Sequence, residues 1–360
     1  MKIGILNGGG DCAGLNAVTR AVVRRGEQFD YEVIGIKHGW AGLLNLDVMS
    51  LKWNDVSHII NLGGTILHTT RTNPFSRSDG PRKVLTNMKK LSLDALIAVG
   101  GEDTLSVAAR LAEMGLRVVG VPKTIDNDIV DTEMTFGFDS AVNVTVEAID
   151  RIQTTGESHD RIMVVEVMGR HAGWIAAYAG LASGADVILV PEKPFDLDEV
   201  ASALKRRHQA GATASIVVVG EGCSLKGSPP GDPSKVDEFG HVRLGGIGEL
   251  LAKEIEKRAG IETRAVVLGH VIRGGSPSAG DRILATRLGV AAVEAINRGE
   301  FGILVCIRGN AISKIKLVNI LDKTKQLDEE TLDLIDTFSP NSHASGGTVT
   351  HMVEFLAAHS

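Results

Sequence analysis

Glu102, Asp103, Lys123, Asp126 and Asp128 are the side chains whose types and spacing could do chemistry. Ala95-Leu96-Ile97-Ala98-Val99 reads as a buried strand that breaks into Gly100-Gly101-Glu102-Asp103-Thr104. Helical spacing follows from Leu105 to Met114, and Gly115 closes it. A second short strand, Leu116 to Val119, runs into Pro122-Lys123-Thr124-Ile125-Asp126-Asn127-Asp128. In an open parallel sheet ligands sit beyond the carboxyl ends of the strands, so these carboxylates should share one mouth with Lys123. Carboxylates crowded around a single lysine repel one another unless a divalent cation or a transferable proton joins them. The composition therefore points to phosphate and magnesium chemistry.

The elements that must position these groups repeat a strand-and-helix rhythm. Ile3 to Leu6, the turn Asn7-Gly8-Gly9-Gly10-Asp11-Cys12-Ala13-Gly14 and a helix with Leu15, Val18 and Val22 on one face make an anion site, because glycines let the backbone N–H groups approach a ligand. Gly8, Gly10 and Ala13 also satisfy a relaxed dinucleotide fingerprint. That reading needs an acidic residue at the end of the second strand, yet Tyr31 to Ile36 ends in Lys37-His38. A Walker-type loop is absent, since no Gly-Lys-Ser/Thr follows the glycines. Ile59 to Leu67 continues into His68-Thr69-Thr70-Arg71, where Arg71 is either a phosphate clamp or a solvated loop arginine.

After Phe136-Gly137-Phe138-Asp139-Ser140 and a helix to about Ile152, the rhythm starts again, which predicts a second domain. Strands are expected at Ile162 to Val167, ending in Met168-Gly169-Arg170, at Ala185 to Val190, and at Ile216 to Val219, ending in Gly220-Glu221-Gly222. Asp196 and Glu199 read as a capping box for a helix to about Ala210. Cys223 to Gly246 turns polar and reads as an exposed insertion. A helix from about Ile247 to Arg258, the strand Arg264 to Leu268, a helix from about Gly280 to Ile296 and the strand Ile303 to Ile307 follow, and Val349 to Ala358 looks like a closing helix. Gly10, Asp103, Asp126, Arg170, Glu221, His270 and Arg273 all stand at trailing ends of strands. Core packing explains the apolar runs but not why their exits carry charge and glycine. Such a set is the expected lining of a crevice between two doubly wound α/β domains.

Bulk properties agree. With 360 residues, 43% hydrophobic and 23% charged, the chain can bury the cores of two domains. No apolar run approaches the ~20 residues of a membrane span, and Met1 leads straight into a strand, so a cytoplasmic location is expected. Cys12, Cys223 and Cys306 are odd in number and scattered, which favours structural thiols over disulfides or zinc ligands. A net charge of -6 argues against a general nucleic-acid binder, so any phosphate site must be locally basic.

Gly9-Gly10-Asp11, Gly100-Gly101-Glu102-Asp103, the block from Pro122 to Asp128, Met168-Gly169-Arg170 and Gly269-His270-Val271-Ile272-Arg273-Gly274-Gly275 together resemble the 6-phosphofructokinases, in that family's order from about residue 3 to 282. The resemblance implies two Rossmann-like domains with mostly parallel sheets and the active site between them. It implies a donor domain of residues 1–140 plus about 274–320, and a sugar-phosphate domain of 141–273 plus about 321–360. Asp126 would be the general base for the sugar 1-hydroxyl and Asp128 its electrostatic neighbour. Glu102 would hold Mg2+, and Gly10 and Arg71 the donor phosphates. Thr124, Ile125, Met168, Gly169, Arg170, Glu221, His270, Val271, Ile272 and Arg273 match the sugar-phosphate site. Arg161 and Arg264 match arginines that reach a neighbouring subunit's site, which implies a homodimer or homotetramer. Ala13 departs from the family's common proline, and Cys223 to Gly246 is longer than in short bacterial members.

Two positions bear on the donor. Members that use ATP usually carry glycine at the Asp103 and Lys123 positions, leaving room for the nucleotide's α-phosphate. A carboxylate there would fill that room and repel an anion, while Lys123 brings a point charge to the phosphates. Aspartate with lysine is the pattern of the pyrophosphate-dependent members. The resemblance thus implies pyrophosphate and fructose 6-phosphate as substrates. Alternatively, Asp103 merely caps its helix. An ATP-dependent enzyme, a dinucleotide-dependent dehydrogenase and a non-catalytic sugar-phosphate-binding protein are the other readings.

Overall fold

A computed structural model describes residues 1–225, 232–236 and 242–338. The chain begins with β1 (Lys2–Asn7), α1 (Leu15–Gln28), β2 (Glu32–Ile36), α2 (Trp40–Asn45) and β3 (Val48–Leu51). Next come α3 (Gly80–Lys90), β4 (Ala95–Gly100), α4 (Glu102–Glu113), β5 (Val118–Pro122) and the long α5 (Phe138–Glu157). The second half holds β6 (Ile162–Val167), α6 (Trp174–Ala182), β7 (Val187–Leu189), α7 (Leu197–Gln209), β8 (Ser215–Gly220), β9 (Asp232–Val236), β10 (Val242–Arg243), α8 (Ile247–Ala259) and β11 (Thr263–Val267). It ends with α9 (Ala279–Asn297), β12 (Ile303–Arg308), β13 (Ala311–Lys316) and α10 (Glu329–Phe338).

Two open sheets result. One has the order β13-β12-β5-β4-β1-β2-β3 and the other β11-β6-β8-β7, while β9 and β10 pair as a separate ribbon. Only the outermost strands β3 and β13 run antiparallel in the first sheet, and the second is wholly parallel. In β1 and β4 alternate residues point to opposite faces: Ile3, Ile5, Ile97 and Val99 join one core, and Leu6, Leu96 and Ala98 the other. Helices cover both faces, as parallel strands without a wet side require. The first of these cores continues through α5, α6 and α9 to Met163, Val165, Val218 and Ile188 of the second sheet. One apolar body thus braces both sheets against the crevice between them.

Several expected boundaries shift. The strand expected at Leu116 to Val119 runs instead from Val118 to Pro122. Gly120 belongs inside it because a Cβ there would meet Leu105, Leu304 and Leu317. Asp196 does cap α7, accepting from the Asp198 and Glu199 amides at 2.8 and 3.3 Å, but no return bond from the Asp196 amide to the Glu199 side chain completes the expected capping box. The supposed insertion does not begin exposed: Cys223 is buried, and Leu225 bridges to Phe195. Cys12 and Cys306 are buried free thiols as well. Helices α2, α3, α6 and α10 and strands β3, β9, β10 and β13 were not anticipated. Among the described residues no helix is long and apolar enough to cross a membrane. The helix expected at Val349 to Ala358 lies outside the described residues.

Candidate active site

Three neighbouring strands of the first sheet deliver the site. At the end of β1, the Gly8 amide donates to Val99 O and the Gly9 amide to Thr70 O, at 2.9 and 3.1 Å, so the glycine turn is bonded to β4 and to the loop before Arg71. Gly9 has φ of 81°, a left-handed conformation that suits glycine. A Cβ on Gly10 would strike the Arg273 guanidinium. At the end of β4, Gly101 caps α4, which places Glu102 and Asp103 in the helix's first turn, where the dipole favours acids. Asp103 is therefore not the cap, and the capping explanation for it fails. At the end of β5, the Lys123 amide donates to Gly100 O at 2.9 Å, and its Nζ donates to Gly10 O at 2.5 Å. The lysine ties the ends of β5, β4 and β1 together.

The turn that follows is fixed by side chains. Asn127 sits at φ 51°, a left-handed position that asparagine tolerates. Its Oδ1 accepts from the Thr135 amide at 3.1 Å, and Thr135 Oγ1 donates to Thr124 O at 2.7 Å. These bonds pin the residues on either side of Asn127, and Asp126 and Asp128 line the same cleft. Asp126 is 5% exposed, and the Oδ1 atoms of Asp126 and Asp128 are buried with no hydrogen-bond partner among the described residues. Buried, unpartnered carboxylate oxygens are costly, and they are where a ligand proton or cation would be welcome.

The second sheet supplies the opposite wall. After β6, Gly169 at φ 144° and Arg170 at φ 54° form a turn whose two amides donate to Glu221 Oε1 at 3.3 and 3.2 Å. Glu221, at the end of β8, thus supports Arg170 from beneath. A 3-10 turn over residues 269–273 brings Arg273 across, and its Nη1 donates to Asp11 O at 3.2 Å.

Around the cleft stand Gly10, Arg71, Glu102, Asp103, Lys123 and Thr124, with Asp126, Asp128, Arg170 and Arg273. The structure therefore brings together most of the side chains expected to act. Met168, Gly169 and Glu221 are not among the residues lining the cleft: Met168 packs against the core, and Glu221 accepts from the Gly169 and Arg170 amides behind it. Ile125 and Ile272 do not face the cleft: each is 1% exposed and packs in the core. His270 and Val271 sit on the exposed face of the 3-10 turn. Arg161 and Arg264 also lie elsewhere, both bonded to Glu262, at 2.9 and 2.5 Å, beside the outer strand β11. Thr104, His171, Lys323 and Thr324 line the cleft without having been anticipated. His171 follows Arg170 directly, a signal that was available. Lys323 and Thr324 belong to no motif.

Electrostatics follow from the crowding. Burial, and then the charge of Asp126, push Asp128 up to about 7, against the pull of Arg170. Burial raises Glu221 too, with Asp126 again the leading charge. Lys123 is pulled down by burial and then by the Arg273 guanidinium, opposed by the charges of Asp126 and Asp11. Cys12 itself is pushed up to about 12 by burial, which makes it a packed thiol rather than a nucleophile.

No three metal-ligating side chains converge on a point among the described residues. Magnesium is commonly held by one or two carboxylates together with substrate phosphates and water, and the Oδ1 atoms of Asp126 and Asp128 are carboxylate oxygens without a partner among the described residues. Glu102, whose Oε1 accepts from Ser106 at 2.6 Å, stands at the mouth with the free carboxylate oxygens nearby.

A strand-end cleft with a glycine turn, a buried lysine, arginines on both walls and a carboxylate pair defines a phosphoryl-transfer site in a doubly wound α/β protein. The chain belongs to the phosphofructokinase family, whose profile, described as Phosphofructokinase, matches residues 2–296. The pyrophosphate–fructose 6-phosphate 1-phosphotransferase of Amycolatopsis methanolica is 52% identical over 340 residues, spanning 94% of this chain and 99% of that protein. ATP-dependent 6-phosphofructokinase 3 of Streptomyces coelicolor is 49% identical over 331 residues, spanning 91% and 97%. The solved pyrophosphate-dependent phosphofructokinase of Marinobacter aquaeolei shares the fold, with a TM-score of 0.79 at 22% identity over 94% of this chain and 91% of that one.

Proposed function

We propose that the protein transfers a phosphoryl group from pyrophosphate to the 1-hydroxyl of fructose 6-phosphate, giving fructose 1,6-bisphosphate and phosphate. The observation that carries the donor choice is that Asp103 and Lys123 line one cleft with Gly9 and Gly10. Overall identity is of little help here, because relatives named for pyrophosphate and for ATP lie within a few per cent of each other. A carboxylate in the first turn of α4 lines this cleft at the position where the family resemblance implies a nucleotide's α-phosphate, and two anions close together in a partly dry cleft repel by several kcal/mol at most, of order 1–4. Lys123 and the Gly9–Gly10 turn remain for a smaller donor.

In this mechanism the Gly9–Gly10 amides, Lys123 and Arg71 hold pyrophosphate, while Arg170 and Arg273 grip the sugar from the opposite wall in two-pronged fashion. The Asp126 carboxylate accepts the proton of the 1-hydroxyl. The freed oxygen bonds to the near phosphorus as the bond from that phosphorus to the bridging oxygen breaks, and phosphate leaves. Glu102 would hold Mg2+, which supplies charge neutralisation when bound. Since the transition state is loose, the proton is needed late and a carboxylate base suffices. One phosphoanhydride is exchanged for one ester, so the reaction should run readily both ways. In reverse, the same carboxylate returns the proton.

We assign residues 1–140 with about 274–320 to the donor side and 141–273 with about 321–360 to the sugar side. Arg161 and Arg264, held by Glu262 at the sheet edge, serve a neighbouring subunit, so the active form is at least a dimer. The deciding assay gives purified protein fructose 6-phosphate and Mg2+ with either pyrophosphate or ATP. Rapid turnover with pyrophosphate is expected. Turnover with ATP and none with pyrophosphate would establish the ATP-dependent reading instead.

A further inference from the structure

Residues 323–328 cross from one wall of the cleft to the other, and Lys325 is where this strap is fastened. Its amide donates to Asp128 O at 2.7 Å, and its Nζ donates to Thr132 O and Glu133 O at 3.0 and 2.9 Å. On the opposite side, its carbonyl accepts from Trp174 Nε1 at 3.0 Å, and its ammonium lies 4.7 Å from that indole's centroid. Two residues on, the Leu327 amide donates to Glu192 Oε1 at 3.1 Å, and Glu192 also accepts from the Gly173 amide. The strap therefore joins the loop that carries Asp126 and Asp128 to the turn that follows Arg170.

An ammonium half withdrawn from water and spent on main-chain carbonyls is a costly way to fill space. Burial pulls it down to about 8, and Asp128 leads the charges that oppose the fall, ahead of Asp328 and Glu133. An apolar side chain could pack on Trp174 equally well, but it would leave the Thr132 carbonyl without its donor and the Glu133 carbonyl with only the long 3.4 Å bond from Asn127 Nδ2. What the charged group adds is a fixed distance between two walls.

We infer that Lys325 is a positioning residue for the transfer step, holding the backbone from Asp128 to Glu133 at a set distance from Arg170 so that the carboxylates meet the sugar hydroxyl. The inference rests on the phosphoryl-transfer reading for its kinetic consequence, but the clamp itself can be read without substrate. A loop misplaced by about 1 Å can cost on the order of 100-fold in rate.

The test compares the parent protein with Lys325→Met and Lys325→Arg near neutral pH, where the ammonium is charged. With pyrophosphate, fructose 6-phosphate and Mg2+, Lys325→Met should lose roughly 30- to 100-fold in kcat while both KM values stay within about threefold. Lys325→Arg should recover most of the loss, because a guanidinium can donate to the same two carbonyls. Hydrogen exchange of the 126–134 segment, measured with no substrate, should quicken about tenfold in Lys325→Met and stay slow in Lys325→Arg. A Met variant with kcat within threefold of the parent overturns the inference. So does a loss of kcat that comes with faster exchange across the whole protein, since that marks a general brace. If the parent turns over neither donor, the functional reading fails by itself; unchanged exchange in the 126–134 segment would still overturn the clamp, and local quickening would still support it.

Discussion

Replacing Asp128 with Asn should stabilise the protein, and by more at alkaline than at acid pH. The folded state keeps a proton on Asp128 up to about pH 7, because burial and the neighbouring Asp126 disfavour its charge, whereas the unfolded chain releases that proton near the ordinary value of 3.8. Below the unfolded value both states are protonated and the group contributes nothing to the pH dependence. Between the two values the unfolded state binds fewer protons, so stability falls as pH rises, and the loss is complete above about 7. A pKa moved from 3.8 to about 7 is worth up to roughly 4 kcal/mol, at about 1.4 kcal/mol per tenfold change in proton affinity. Asn keeps the shape and never ionises. The variant should therefore gain roughly 2–3 kcal/mol more, relative to the parent, near pH 8 than near pH 5. Loss of the attraction to Arg170 trims the absolute gain but leaves the slope. Urea unfolding in EDTA and phosphate-free buffer at the two pH values measures it. An equal gain at both, or a variant less stable than the parent near pH 8, would refute the assignment of the raised pKa to this carboxylate. The same change should depress turnover, since a group that strains the empty site is retained for what it does when the site is full.

Asp126→Asn should lower kcat by about a thousandfold while fructose 6-phosphate binds within roughly threefold of the parent, as calorimetry would show; normal turnover would remove Asp126 from its role as base. Asp103→Gly should tighten ATP on the order of tenfold or more by removing the repulsion, and unchanged ATP affinity would end the argument about the α-phosphate. Arg264→Ala and Asp126→Asn should each be nearly inactive alone, yet a mixture refolded or exchanged together should regain about a quarter of the parent's sites if each site borrows Arg264 from its neighbour. A mixture as inactive as its components would place Arg264 outside the partner's site.

What could be read in advance divides by the range of the interaction that decides it. Asp196 and Glu199 betrayed the start of α7 because a cap bonds to amides two and three residues away. The exits of β1, β4 and β5 were legible because core packing alone gives a buried apolar run no reason to stop at glycine and acid, whereas the left-handed turn at Asn127 was not read from the sequence. The helix α3 was missed because it opens with Gly80-Pro81, a pair that reads as a loop although proline is welcome in a first helical turn. The edge strands β3 and β13 carry mixed polar and apolar residues with partial exposure, so no clean alternation marks them.

The strap at 323–328 shows the limit most clearly. Lys325 bonds to carbonyls of residues 128, 132 and 133, nearly two hundred positions earlier, and no local pattern in Lys323-Thr324-Lys325 records that partnership. The motifs identify groups that touch substrate because such groups must have particular chemistry. A group that holds a backbone needs only a donor of the right length in the right place, and many sequences offer one. Lys325 is distinguished by being charged where the Thr132 carbonyl has no other donor among the described residues and the Glu133 carbonyl only a 3.4 Å bond from Asn127 Nδ2, and a Met there that left the 126–134 amides equally protected would show that water serves in its place.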